Sequence, residues 1–426
     1  MNYPVWEMLS TGGGLLIAIV SAIHVYIAHF AVGGGLFLVW TERKSYAENN
    51  PTMTEYIKKH TRFFLLLTMV LGAMTGVGIW LTISAVHPGV TSLMIHNFVF
   101  AWASEWVFFT VEIATLLIYY YTFGKMSRQN HLKIGWIYFA AAWLSLVIIN
   151  AIISFMLTPG DWVKTKNFWD GLINPSFLPS TLFRTALAVM LAGLYGYLTS
   201  INLKDESLRR TMVRYCSRWV VLPLIVLIPT GWWYLEVIPP AAREMISGGV
   251  LDPAYFANWV LYLTPIIIIG ALVMAARLPL SMQSALAVGL FILGFLGMGA
   301  FEYVRETSRR PYVVYDHMYS NGLLKDQVAQ SREQGVLTAA RWVKTTQIND
   351  QNQEQAGREL FRLLCVSCHS MGGPRNDILV QTKSMDQADL LKIMQTMGGK
   401  RAYMPPFPGN ELEKTTLADY LVKKTP

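Results

Sequence analysis

Hydrophobic residues come in long, nearly unbroken blocks as far as about residue 303, and there the blocks stop. Eight blocks are apolar over about 20 residues or more, the length needed to cross a hydrocarbon core. They cover approximately 13–41, 62–86, 96–123, 134–157, 180–201, 217–238, 255–276 and 279–303. Half-buried strands would alternate apolar and polar positions; these blocks do not, so they predict membrane-spanning helices. The first block does not read as a signal peptide, which would need a basic segment before it, because the first Lys or Arg is Arg43.

The polar stretches between blocks alternate in charge. Arg43, Lys44, Lys58, Lys59 and Arg62 flank the first loop, and Lys125, Arg128 and Lys133 the third. Lys204, Arg209, Arg210, Arg214 and Arg218 belong to the fifth, and Arg277 to the seventh. The even loops hold only Lys164, Lys166 and Arg243. Positive loops stay inside, so the odd loops are expected in the cytoplasm, with the N-terminus and the tail after block eight outside. Composition agrees: 53% hydrophobic and 15% charged residues are membrane-class values. The net charge of +8 comes mostly from orienting loops and is no sign of a nucleic-acid partner. Many of the 14 Trp and 20 Tyr stand near block ends, as interfacial belts require.

Beyond residue 310 the pattern changes. Residues 311–354 form a polar connector rich in Gln, Lys and Arg, and a small domain is expected over 355–426. A helix bearing Gly357, Leu360 and Phe361 leads into Cys365-Val366-Ser367-Cys368-His369. A Gly-Gly-Pro turn follows at 372–374, and a closing amphipathic helix carries Leu417, Tyr420 and Leu421. CxxCH is the attachment motif for one covalent haem c: two thiols bond the porphyrin edge and His369 ligates the iron. Met404, in Tyr403-Met404-Pro405-Pro406-Phe407, stands where a small cytochrome c places its sixth ligand, and a thioether there raises the reduction potential. Zinc would need two further nearby ligands, but His369 is the only His after His317 and no Cys follows Cys368. A redox pair would need neither His369 nor Met404. The third cysteine, Cys216, lies in a block and reads as a small buried apolar residue. The expected fold class is therefore an all-α membrane protein, with residues 1–310 as an eight-span bundle and a C-terminal periplasmic cytochrome c domain.

Ionisable residues inside apolar blocks are costly and mark function. Four stand out: His24 in the first block, Glu105 and Glu112 in the third, and Glu306 after the eighth. Glu105 and Glu112 are seven residues apart and share a helix face. With the topology above, His24, Glu105 and Glu306 fall near the outer surface, on the haem c side.

Over residues of about 15 to 315 the chain resembles subunit I of the cytochrome bd oxidase superfamily. His24, with Glu42 eighteen residues on, matches the first-span haem-ligand His and its trailing acid. Ser104-Glu105 to Glu112 resembles the pair of span-three glutamates, which the family spaces one residue wider. Glu306-Thr307-Ser308-Arg309-Arg310-Pro311-Tyr312 resembles E-x-G-R-Q-P-W, with Ser for Gly, Arg for Gln and Tyr for Trp. The resemblance implies that His24 and Glu306 ligate two membrane haems, b and/or d, and that Glu105 sits beside or on the oxygen-reducing iron. It implies that Glu112 continues a proton path and that Arg309 pairs with propionates. It also implies a second membrane subunit of the subunit II type and a location in the bacterial inner membrane.

The departures are informative. The family's low-spin haem b uses a fifth-span His and a seventh-span Met. Here Arg184 stands about where that His belongs, no His lies between 132 and 316, and Thr264-Pro265 falls near the Met. The loop after block six, which in the family binds quinol, has only about 16 residues here. The low-spin haem is therefore expected to be absent, with haem c taking electrons from a periplasmic donor, a cytochrome c or a larger redox complex, for reduction of O2 to water. Nitric oxide reduction at the same site, a non-oxidase electron-transfer subunit and a haem c anchor remain as other readings. The plainer roles are packing for Gly33–Gly35, Gly72 and Gly76, apolar filling for Met190, Met274 and Met298, and support or packing rather than ligation for His29. His87 and His96 read as interfacial, and His317 as a propionate contact or without a role.

Overall fold

Each apolar block folds as a helix, and most of the helices run past the block. In the computed structural model eight helices among the described residues are long and apolar enough to cross a membrane. They are α1 (Gly14–Ala47), α2 (Pro51–Val86), α3 (Val99–Tyr121), α4 (Arg128–Phe155), α5 (Phe177–Ser200), α6 (Glu206–Val237), α7 (Pro253–Ala275) and α8 (Leu280–Thr307). The structure describes residue 6 and residues 8–249, 251–276, 278–340, 343–373, 376–399 and 403–425. Arg277 of the seventh loop and Pro374 of the Gly-Gly-Pro turn lie outside them.

The extensions are amphipathic turns with side-chain caps. Asn50 accepts from the Met53 N–H at the start of α2, and Asp205 from the Ser207 and Leu208 N–H groups at the start of α6. The polar first turns of α2 bury Met53, Tyr56, Ile57, His60 and Phe64. One buried stripe suffices to hold such a segment, so the hydropathy limit at residue 62 falls well inside the helix.

Contacts divide the chain into two units. The larger comprises Val20–Gly78 and Asn97–Ser308. Its core is built on Tyr26, Phe30, Phe37, Phe64, Tyr138, Tyr195 and Tyr197, with Cys216 fully buried among them. Glycines set the closest helix approaches, as small residues do in membranes. A Cβ on Gly33 of α1 would stand 1.8 Å from the Ala188 carbonyl oxygen of α5, and one on Gly193 of α5 would stand 2.7 Å from that of Cys216 in α6. A π-helical turn at Leu67–Gly72 interrupts α2.

The second unit comprises the described residues of Met1–Ile19, Ile79–His96 and Arg309–Pro426. Its elements include an antiparallel hairpin of β1 (Tyr312–Val314) and β2 (Met318–Tyr319), then α9 (Gln353–Leu364), α10 (Gln387–Thr396) and α11 (Glu411–Lys424). Leu360, Phe361, Leu364, Leu390, Met394, Phe407, Leu417 and Leu421 form its core. Val336 and Leu337 of the connector are buried in the same core.

Candidate functional site

The CxxCH segment continues directly from α9. The Cys368 and His369 N–H groups both bond back to the Cys365 carbonyl, at 3.0 and 2.8 Å, closing a tight turn that brings the two cysteines and the histidine together. Cys365 and Cys368 are free thiols. Burial, with the neighbouring Cys368, pushes the Cys365 thiol up to about 12. His369 is buried, and its Nδ1 lies 3.3 Å from the Asn376 carbonyl, which can only accept. Nδ1 therefore carries the hydrogen and Nε2 the lone pair, the tautomer an iron-ligating imidazole needs. The residues present fit a covalent haem. Among the described residues no three His, Cys, Asp or Glu groups gather to hold a metal ion. Met404 is partly buried in the segment between α10 and α11.

In the bundle, His24 of α1 faces α2. Its Nδ1 lies 3.1 Å from Thr75 Oγ1. The single Thr75 hydroxyl hydrogen goes to the Leu71 carbonyl at 2.7 Å, so Thr75 accepts from His24 Nδ1–H. Nε2 then holds the lone pair, again as an iron ligand requires. Gly76 backs the ring: a Cβ there would come within 3.1 Å of His24 Cε1. Both residues follow the π-helical turn of α2, a feature frequent at functional sites.

Glu105 and Glu112 stand two turns apart on α3. Ser145 of α4 donates to Glu105 at 3.0 Å, and Glu112 is buried. Glu306 is in the last turn of α8, half exposed, 4.0 Å from the Arg305 guanidinium. Arg309 follows the helix and is buried, its carbonyl accepting from the Tyr312 N–H. His24, Glu105 and Glu306 thus lie on three helices, each with its own supports.

The fifth-span position is filled by charge. Arg184 Nη2 lies 2.8 Å from Glu302 of α8, and Arg184 Nη1 lies 3.3 Å from His29 Nε2. His29 Nδ1 is held by the Val25 carbonyl at 2.9 Å, so the ring is neutral and its lone pair faces the guanidinium. The other Glu302 oxygen meets Arg305 Nε at 2.9 Å. Thr264 spends its hydroxyl hydrogen on the Val260 carbonyl. A paired guanidinium and a threonine do not ligate iron, so these residues do not fit a low-spin haem. Both ring nitrogens of His29 thus have protein partners, Val25 and Arg184.

Two polar groupings were not visible as sites in the sequence, and a third, around Glu42, showed only as the acid trailing His24. Glu302 and Arg305 resemble ordinary helix-end charges; their spacing of i, i+3 is the one available signal. His60 sits fully buried with Nδ1 2.8 Å from Thr199 Oγ1. Glu42 is fully buried and bonded by Tyr46, Tyr119 and His131.

This arrangement can be set beside known proteins. The family described as cytochrome bd terminal oxidase subunit I matches residues 15–237. Among solved structures, the bd oxidase from Geobacillus thermodenitrificans aligns with a TM-score of 0.62 at 15% identity, over 72% of this chain and 89% of that one. At that identity the likeness speaks for the fold alone. Comparison with curated proteins gives no match. The family match spans more than half of the sequence and contains His24, Glu42, Glu105, Glu112 and Arg184; the chain belongs to the cytochrome bd terminal oxidase subunit I family.

Proposed function

We propose that this chain is a bd-type oxidase subunit I fed by its own haem c instead of by quinol. Cys365 and Cys368 would attach the haem c, with His369 and Met404 as axial ligands. His24 and Glu306 would hold two membrane haems, Arg309 their propionates, and Glu105 the position next to the reacting iron. When bound, these haems supply electron transfer from a periplasmic donor and the reduction of O2 to water.

The chain's own residues do the rest. Thr75 and Gly76 fix the tautomer and orientation of His24. Arg305 shares Glu302 with Arg184 and brings its positive charge to within 4.0 Å of Glu306. Glu112, buried in apolar surroundings, holds and passes protons toward Glu105, and general acid–base chemistry needs such a group within reach. A subunit II-type partner completes the membrane complex, in the inner membrane with both the N-terminus and the haem c domain periplasmic.

The observation that carries this reading is the Arg184–Glu302 pair at the fifth-span position. It takes away the haem site that receives electrons from quinol, in a chain that brings a CxxCH motif of its own. The test is spectroscopy of the purified complex with haem counting and oxygen uptake. Haem c plus two further haems, one binding CO, with oxygen consumed from reduced cytochrome c and not from quinol, is expected. Haem c alone, or membrane haems that ignore CO, would sink the oxidase reading in favour of an electron-transfer or anchoring subunit. Nitric oxide consumed in place of oxygen would redirect it to that acceptor.

A further inference from the structure

Glu42 lies near the end of α1, fully buried, and is the hub of a closed hydrogen-bond network. Tyr46 OH donates to Oε1 at 2.6 Å, Tyr119 OH donates to Oε2, and His131 Nδ1 lies 2.6 Å from Oε1. His131 Nε2 is 2.8 Å from the Tyr119 carbonyl. That carbonyl is in the last turn of α3, where helix acceptors lack internal partners. A carbonyl cannot donate, so Nε2 carries a hydrogen, and both phenols spend theirs on Glu42. One proton is left, shared between His131 and Glu42 along a 2.6 Å bond. It can move across that bond without breaking any other.

The network also has a direction. Tyr119, Glu112 and Glu105 recur every seven residues along α3, on one face. At the other end Tyr46 is only partly buried, and the Arg128 guanidinium lies 4.8 Å over its ring. Arg128 belongs to one of the basic loops. The titratable and charged groups described around the pair are Tyr46, Tyr119 and Arg128. We propose that Glu42 and His131 form the site at which protons are taken up from the basic-loop side for delivery to Glu112.

The step balances. A proton arriving past Tyr46 is accepted at Glu42; one proton leaves on the Tyr119 side; the pair returns to its starting charge. Tyr119 and Glu112 are about 10 Å apart along the helix axis. With hydrogen-bond steps of about 2.8 Å, a path across that gap would need roughly three bridging waters. A purely structural clamp of α1, α3 and α4 would use the same bonds but would not exchange its proton on the timescale of turnover.

This rests on the oxidase reading, so haem content and oxygen uptake of the wild-type complex are measured first. A wild-type complex that consumes no oxygen overturns that reading and this inference with it. Given turnover, E42Q and H131N complexes with full haem content should lose roughly 10²-fold in rate, the low end for a positioned proton-transfer group. The solvent isotope effect should rise, and chemical reduction of the haems should stay fast. Wild-type rates in both variants overturn the inference. If neither assembles, Y119F and Y46F decide it: slowed turnover with a raised isotope effect supports it, and wild-type behaviour in both overturns it. A readout independent of turnover is infrared exchange after mixing with D2O. The carboxyl and imidazolium bands removed by E42Q and H131N should exchange within seconds; exchange over hours marks a sealed clamp and overturns the inference.

Discussion

Arg184 Nη2 and Glu302 Oε1 stand 2.8 Å apart across α5 and α8, with both side chains shut off from solvent. Removing one member of such a pair strands a buried charge and costs about 3–5 kcal/mol, while replacing both with apolar residues of similar volume is close to neutral. E302M should therefore lower the melting temperature of the purified protein more than R184M does, because E302M strands the guanidiniums of both Arg184 and Arg305 while R184M leaves Glu302 its bond to Arg305. Melting of E302M at the wild-type temperature would show that the pair contributes no stability.

His24 offers a test of tautomer control. Thr75→Val keeps the shape of the side chain and removes the side-chain acceptor for Nδ1–H. Outer-shell partners of this kind are worth about 10–100-fold in affinity for the bound centre. T75V should weaken one membrane haem and shift its spectrum, with haem c unchanged. G76A should act in the same direction, because its Cβ would stand 3.1 Å from His24 Cε1 and the ring must give by a few tenths of an ångström. The check is haem content per chain after gel filtration. Full retention in both variants would remove His24 from the ligand set.

In haem-free protein, burial pushes the Cys365 thiol up to about 12. An unfolded cysteine ionises near about 8.5. The folded thiol stays protonated between those values while the unfolded one ionises. The stability associated with the neutral thiol is thus complete below about pH 8.5 and declines as pH rises toward 12. Cys365 should react slowly with iodoacetamide at pH 8 and much faster near pH 11. In haem-loaded protein neither Cys365 nor Cys368 should react, and the haem should stay with the chain on a denaturing gel. Alkylation of both cysteines in the loaded protein would exclude covalent attachment.

Met404→Leu separates attachment from axial ligation. Covalent haem should persist, since the thiols and His369 are untouched. The midpoint potential should fall, because a thioether ligand raises it. An unchanged potential and spectrum would mean that Met404 is not the sixth ligand.

The sequence shows best what rests on long, one-sided patterns. The eight blocks, their charge alternation and the CxxCH motif are such patterns, and the described residues contain eight helices long and apolar enough to cross a membrane and the tight Cys365–His369 turn. Helix limits were harder to read. The first turns of α2 bury Met53, Tyr56 and Ile57 through a narrow stripe that averaged hydropathy misses. The polar networks were hardest, because they depend on partners far apart in sequence. Glu42 and His131 are 89 residues apart, and Arg184 and Glu302 belong to different helices. Arg184 could be recognised as a departure, but that Glu302 answers it needed the packing of α5 on α8.

Glu413 is a further case of a partner distant in sequence. In the structure it is the third residue of a capping box behind Asn410, with the Asn410 N–H donating to Oε2 at 3.0 Å. The same buried carboxylate accepts from the N–H groups of Val336 and Leu337, each at 2.8 Å. Glu413 thus ties the connector to the N-terminus of α11, and three charge-assisted bonds converge on one group. Gly335 makes the approach possible with φ of +87°, and a Cβ there would stand 2.9 Å from Asn410 Nδ2. E413A leaves the donors of Val336 and Leu337 without an acceptor, at about 1–3 kcal/mol for each buried group. The variant should expose the 328–340 stretch to limited proteolysis, and G335A should do so as well, while membrane haem content stays unchanged. Wild-type cleavage patterns in both variants would mean that Val336 and Leu337 hold the connector through apolar burial alone.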